Sequence, residues 1–401
     1  MRILTGLCAG ALWLQAQAPD PSGGLAAAPG ILTHIRSQML QNLARQPNYT
    51  CVETVKRSRR SGSGRMQLED TLRLEVALVN GNEMFAWPGS RKFEETDLGK
   101  LVPGGIVANG NFALHARAIF AGEGVIFQYR GASPLGGKRA VRFDYTVPMQ
   151  LSGYQIRSSS GEATVGFHGS IYADPDSLDV RRIEVIAENI PRGFGLRQVR
   201  DAVDYERIPI GGAEFLLPVR STLVMTDVHG VENRNEVRFA GCRSFMGEST
   251  LTFGEPSPDS AVIPLEIREL RIPVNLDVAF ALSEELDVDT AAVGDPVRAQ
   301  LQQDLRNRTE LLFPKGSIAS GRVTRMERRP DSMTVGMEFT EMTSANAHAT
   351  LDLKHQYIAF QKQWAPRRRV DLETPPRSGE SVIHLRPGMR RLPRILIYWK
   401  T

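Results

Sequence analysis

The usual marks of chemistry are missing from this sequence. It has no H-E-x-x-H pair, no G-x-S-x-G elbow and no G-x-x-x-x-G-K-[ST] loop. Those absences exclude a zincin metal site, an α/β-hydrolase nucleophile and a P-loop phosphate cradle. The seven histidines are scattered, at His34, His115, His168, His229, His348, His355 and His384. None forms a cluster at metal-ligand spacing, so no metal and no cofactor is expected. Long apolar runs are also scarce. Beyond the first 18 residues no segment has 18 uninterrupted apolar residues, so no spanning helix is expected there. Cysteine is rare, at three residues, and only Cys51 and Cys242 lie beyond the N-terminal segment.

What is present begins with an export pattern. Arg2 supplies a positive start, Ile3 to Leu14 form an apolar stretch, and the small residues Ala16 and Ala18 follow. Residues 1–18 therefore read as a cleaved secretory signal. Localisation is then periplasmic or extracellular. In such a compartment Cys51 and Cys242 read as a bridge closing a loop of about 190 residues, or as two buried thiols.

Composition is that of a folded protein, with 41% hydrophobic and 23% charged residues. The net charge of +4 is uneven: residues 361–401 carry ten Lys and Arg against three Asp and Glu. The cluster Arg367, Arg368, Arg369, Arg390 and Arg391 is a candidate basic contact surface. An exported protein meets membrane or protein, so nucleic acid is not the expected partner.

The coarse order of elements is helix, then many strands. Residues 19–29 read as a flexible leader rich in Pro, Gly, Ser and Ala. Ile31, Ile35, Met39, Leu40 and Leu43 fall at helical spacing over 31–44. Alternating runs then follow from Tyr49 to about Phe253, with Asn80-Gly81 as a hairpin signal. A helix is expected around Ala113–Ala121. Residues 254–271 carry the linker Glu255-Pro256-Ser257-Pro258-Asp259, and a second β-rich unit fills 272–401. In that unit Gly294-Asp295-Pro296 opens a strand in which Val297, Ala299 and Leu301 alternate with polar residues. Phe313-Pro314-Lys315-Gly316 has the residues of a type I turn. Gly321 marks a bulge or a close approach, and Leu392 to Trp399 is expected to return as a closing strand.

Two resemblances sharpen this pattern. The helix, the strand at Tyr49–Lys56, the charged strand at Leu72–Val76 and the hairpin Val79 to Pro88 resemble the periplasmic lipoprotein-carrier fold. That resemblance covers roughly 30–253. It implies a half-open barrel whose concave face holds acyl chains, with Phe85, Phe112, Phe120, Phe127 and Phe143 as candidate cavity residues. The stretch Pro296 to Gln300, then Leu311 to Ser317, then Gly321, resembles the barrel of the TrbI-like component of type IV secretion systems. It implies a small C-terminal β-barrel that docks in an envelope assembly. The two-helix hairpin that would form a pore is missing.

The expected fold is mainly β: an N-terminal helix with a large curved antiparallel sheet, then a small barrel. The expected function is non-catalytic binding of a lipid, a lipoprotein acyl chain or an envelope protein partner. A structural docking role through the second unit is the alternative. A hydrolase with a dispersed site is the third reading, because Asp174-Pro175-Asp176 and Asp287 with Asp289 place carboxylates close together.

Overall fold

The computed structural model describes residues 21–90, 93, 112, 114–158, 161–245, 267–273, 276–287, 289–328, 332–361, 380–382, 391–392 and 396–400. Helix α1 (Pro21–Arg45) begins inside the stretch read as a leader. Pro21 sits in the first turn, where a missing N–H is harmless. Leu25 and Ala26 to Ala28 then favour the helix.

The first sheet is built from β1 (Tyr49–Arg60), β2 (Gln67–Val79), β3 (Asn82–Ala86), β4 (Ile126–Ala132) and β5 (Val141–Val147). A separate hairpin, β6 (Gln155–Ser158) and β7 (Gly161–Thr164), precedes the rest. Then come β8 (Gly166–Ala173), β9 (Val180–Glu188), β10 (Leu196–Ile210), β11 (Ala213–Asp227) and β12 (Glu232–Ser244). The ten strands run β3-β2-β1-β12-β11-β10-β9-β8-β5-β4, antiparallel throughout. Most neighbours are sequential hairpins, as at Asn80-Gly81, where both φ angles are positive. The exceptions are β8 beside β5, which skips the β6–β7 hairpin, and β1 beside β12, where the disulfide Cys51–Cys242 spans the pair across 191 residues of chain.

Helix α1 lies on this sheet together with α2 (Leu114–Phe120). Ile35 and Met39 of α1 and Ala116, Ile119 and Phe120 of α2 are buried in one cluster with residues of β5, β8, β9, β10 and β11. Two polar clamps fix α1. The Asn42 amide donates to the Leu216 carbonyl (2.9 Å) and accepts from the Leu216 N–H (2.8 Å). The Arg36 guanidinium donates to the carbonyls of Phe120 (2.9 Å) and Gly122 (3.3 Å).

The second sheet contains β13 (Arg268–Glu269) and β14 (Asp277–Leu282); β15 (Leu286–Asp287) pairs elsewhere, and β16 (Pro296–Leu301) rejoins the sheet. The hairpin β17 (Leu305–Asn307) and β18 (Glu310–Phe313) stands apart. The sheet continues with β19 (Ile318–Arg328), β20 (Ser332–Thr343), β21 (Ala347–Gln361) and β22 (Glu380–Val382). β23 (Arg391–Leu392) pairs with β15, and β24 (Leu396–Lys400) returns as the expected last strand. The order is β13-β21-β20-β19-β16-β14-β24, with β22 parallel to β21. β13 and β24 do not pair, so among the described residues this sheet is open and is not the closed barrel expected. Its apolar side is covered by the first sheet, which removes the need for closure.

The junction is the Gly294 turn. Val293 extends the first sheet beside Leu72: its N–H donates to the Thr71 carbonyl and its carbonyl accepts from the Arg73 N–H, both at 2.8 Å. Arg73 also pairs with the Asp295 carboxylate. Gly294 has φ +100°, and a Cβ there would lie 2.3 Å from the Arg73 carbonyl oxygen and 2.5 Å from the Trp87 ring. Only glycine fits both the backbone and the space. The Arg322 guanidinium stacks over the Trp87 ring at 4.8 Å and pairs with Glu338 at 2.6 Å. One apolar cluster is therefore continuous from Leu72, Leu74 and Val76 to Phe280, Phe313 and Phe339. Gly321 is both bulge and close approach, since a Cβ would lie 1.8 Å from the Glu338 carbonyl oxygen.

Candidate functional site

The five phenylalanines of the expected cavity do not gather around one space. Phe85 and Phe112 belong to the cluster shared by the two sheets. Phe112 packs on Tyr49 (5.2 Å between centroids) and on Phe239 (5.0 Å). Phe120 and Phe143 are buried in the cluster beneath α1 and α2, and Phe127 packs half-buried against it. Arg367, Arg368, Arg369 and Arg390 lie outside the described residues, and of Arg391 only the backbone in β23 is described.

The groove that the fold leaves open runs along the C-terminal half of α1. Ile35, Met39, Val180 and Leu216 lie nearly buried at its base with Leu178 beside them, and Phe215, whose side chain belongs to the core shared by the two sheets, also borders it. Gln41, Asn42, Arg45, Arg207 and Glu214 form a polar rim. The volume is about 190 Å³. Sites for whole small-molecule ligands usually enclose about 300–1,000 Å³, so this groove is smaller than such a site.

Leu178 belongs to the loop between β8 and β9. The Asp174 carboxylate accepts the N–H groups of Asp176 and Ser177, each at 2.9 Å, and pairs with Arg181. The Ser177 N–H first, then the Asp176 N–H and Arg181, hold the Asp174 carboxyl down to about 2 against a smaller opposing effect of desolvation. The Arg207 fork grips Asp179 at 2.7 and 2.6 Å. The paired carboxylates 174 and 176 are thus turn chemistry. So is the other pair, where Asp287 accepts the Asp289 N–H at 2.9 Å.

The histidines hold different partners. His115 of α2 is buried and lies 3.0 Å from the Asp201 carboxylate, which also accepts the Ser221 hydroxyl at 2.9 Å. The carboxylate stands between serine and histidine, so the order of a nucleophilic triad is not met. The group anchors α2 to β10 and β11. His168 meets Glu188 and His348 meets Glu269 at the surface. Among the described residues no three His, Cys, Asp or Glu side chains could hold a metal ion. No helix of the described residues is long and apolar enough to cross a membrane.

Two features were not singled out from sequence. Glu53 of β1 is 2% exposed, and its Oε2 makes no hydrogen bond among the described residues. Burial, reinforced by the Glu83 carboxylate, pushes its carboxyl up to about 8. Leu178 has φ +59°. The signal for Glu53 was available: it shares the phase of Cys51 and Val55 on an alternating strand, as Asp201 shares that of Val199 and Val203.

No protein-family model matches the chain, and no curated protein matches it. Among solved structures, a DUF1329 family protein from Desulfovibrio piger is similar at TM-score 0.27 and 12% identity, over 56% of this chain and 95% of that one. That likeness is too distant to carry an argument, and the architecture here rests on the strand pairing itself.

Proposed function

We propose that this protein is an exported, non-catalytic component of a cell envelope that binds a protein partner through the α1 groove. The observation that carries the reading is the groove itself: a space of about 190 Å³ beside α1 that exposes the polar side chains of Gln38, Gln41 and Arg45 next to nearly buried apolar residues. The rim amides of Gln41 and the Arg45 guanidinium suit a peptide backbone and its carbonyls. Export is supported by the N-terminal signal pattern and by the disulfide, which persists in oxidising compartments. The five phenylalanines are packed into two cores, which favours a docking surface over an enclosed acyl cavity. The end of an acyl chain is the second reading, because the residues at the base are apolar.

A photo-crosslinking amino acid at Gln41, on the rim, tests this in cells. The same residue at Thr222, exposed on β11, is the control. The expected result is a discrete protein adduct from position 41 and none from 222. A lipid adduct alone would favour the second reading. Equal labelling at both positions, or none, would contradict the groove.

A further inference from the structure

Strand β4 is the last of the ten-stranded sheet, and it pairs with β5 alone. An antiparallel strand turns alternate N–H and C=O groups to either side. On the side of β4 away from β5, those groups make no hydrogen bond among the described residues. Such an edge is a template for another strand, and proteins guard it with short length, proline, lysine or a charge turned inward. The opposite edge of this sheet is guarded. There β3 has five residues, one of them Glu83, Pro88 follows it, and Val293 occupies the edge of β2 beyond it. β4 has seven residues, with no proline, no lysine and no acid. Its one charge, Arg130, is bound to the Asp144 carboxylate at 2.6 Å. The bulge between Tyr129 and Gly131 interrupts only its far end.

The side chains of β4 define the strand that fits this edge. Phe127 and Tyr129 are half-buried on the side of the sheet covered by α1 and α2. Each packs on its cross-strand neighbour in β5: Phe127 lies 6.3 Å from Tyr145 and Tyr129 lies 5.0 Å from Phe143, between ring centroids. Gln128 stands between them, exposed on the other side. The run Ile126 to Arg130 is therefore self-complementary about Gln128. When two copies pair antiparallel with Gln128 opposite Gln128, Phe127 of each falls opposite Tyr129 of the other, and Ile126 falls opposite Arg130. The aromatic pairs of one copy are continued by those of the other, a contact that cross-strand pairing favours. No like charges face each other. Ile126, 66% exposed, is covered by the aliphatic stem of Arg130 from the second copy. The two-fold axis is normal to the sheet, so the helices of both copies lie on one side and the contact closes on itself.

We propose that this protein forms a two-fold dimer through β4, the two strands pairing antiparallel about Gln128 and joining two ten-stranded sheets into one. The occupant follows from the chemistry of the edge. Unpaired peptide groups in a row are met by another extended chain, and this register supplies one from the same sequence with ring against ring. The dimer uses none of the residues of the α1 groove and stands apart from that reading.

Sedimentation velocity of the full chain, with its disulfide intact, tests the proposal. Between about 1 and about 100 μM the wild-type protein should show a monomer–dimer equilibrium, because one edge strand gives an interface at the small end of the usual range. Gln128→Lys and Gln128→Glu each place like charges together on the axis and should weaken the dimer at least about tenfold. A one-to-one mixture of the two variants sets lysine against glutamate and should regain the dimer. Position 128 is exposed, so both variants should keep the wild-type circular dichroism. A wild-type protein that is monomeric throughout the range overturns the dimer. Dimers indifferent to both substitutions, or a mixture no tighter than either variant alone, overturn the pairing about Gln128. Open-ended assemblies overturn the two-fold contact.

Discussion

The two sheets cover their apolar sides by different means. The first carries α1 and α2 on its own face and ties its β1–β12 seam with a disulfide. The second has no helix among the described residues and no bridge. It shares a core with β1, β2 and β3, and it meets β2 through one glycine turn. The first sheet thus has part of its apolar side covered by its own helices and part shared with the second sheet, which is completed by that neighbour. A Pro-rich stretch lies between the two β-rich units in sequence, and among the described residues their sheets share one apolar cluster.

The largest effect that would break this comparison lies at Gly294. Gly294→Ala sets a Cβ against the Arg73 carbonyl and Trp87, at 2.3 and 2.5 Å, in a left-handed conformation. The expected cost is about 4 kcal/mol or more, because backbone must move. Amide exchange should accelerate at Arg73 and Val293 and across β16 and β19, and least at α1. Uniform acceleration would mean that the junction is not the weak link.

Removing the bridge comes next. Cys51→Ala with Cys242→Ala frees a loop of 191 residues. The chain-entropy relation gives about 5 kcal/mol for that length, and native bridges typically contribute about 2–4 kcal/mol. Denaturant unfolding should show both sheets losing stability together. A loss confined to the first sheet would contradict the shared core.

Glu53 sharpens the comparison through pH. Its carboxyl is held protonated in the folded state up to about 8, against an ordinary value of 4.5. Folding therefore binds a proton that the unfolded chain releases. The contribution is complete below about 4.5 and is lost as pH rises to about 8. The slope is up to about 1.4 kcal/mol per pH unit. Glu53→Gln should remove that slope relative to wild type between pH 5 and 8. Parallel stability profiles would show that the carboxyl is hydrated and ionised.

The smallest effect is at the contact between Arg322 and Trp87. Arg322→Met keeps the aliphatic stem and removes the cation over the ring. About 1 kcal/mol should be lost, reaching about 2 where the pair is desolvated. A double-mutant cycle with Trp87→Leu separates this coupling from the Glu338 ion pair.

Much of the fold was legible from local chemistry. Period-2 alternation from Tyr49 onward marked this region as strands, with β1 and β2 at Tyr49–Lys56 and Leu72–Val76, because each buries one face. Asn80-Gly81 marked its turn, since both residues take positive φ. The other turn falls one residue later than Phe313–Gly316 and is not the type I turn expected: the Ser317 N–H donates to the Pro314 carbonyl at 3.1 Å, with Gly316 at φ +91°. The start of α1 was not legible: Gly23, Gly24 and Pro29 argue against a helix that the sequence continues through. The seam of β1 with β12 was legible only through the cysteines: the bridge expected between Cys51 and Cys242 lies across it, while its register is set by contacts nearly 190 residues apart. The open second sheet was hidden for the same reason. Gly294 was recognisable as a turn residue, while its fit against Arg73 and Trp87 depends on a strand more than 200 residues earlier. The groove was the least legible part. Its base comes from α1, β9 and β11, and it is bordered by a leucine whose φ no composition rule predicts.

The direct test of the shared core is calorimetry of the wild-type protein with its disulfide intact. The account predicts one cooperative transition, with the calorimetric enthalpy equal to the van't Hoff enthalpy. Two separable transitions, one for each sheet, would contradict it.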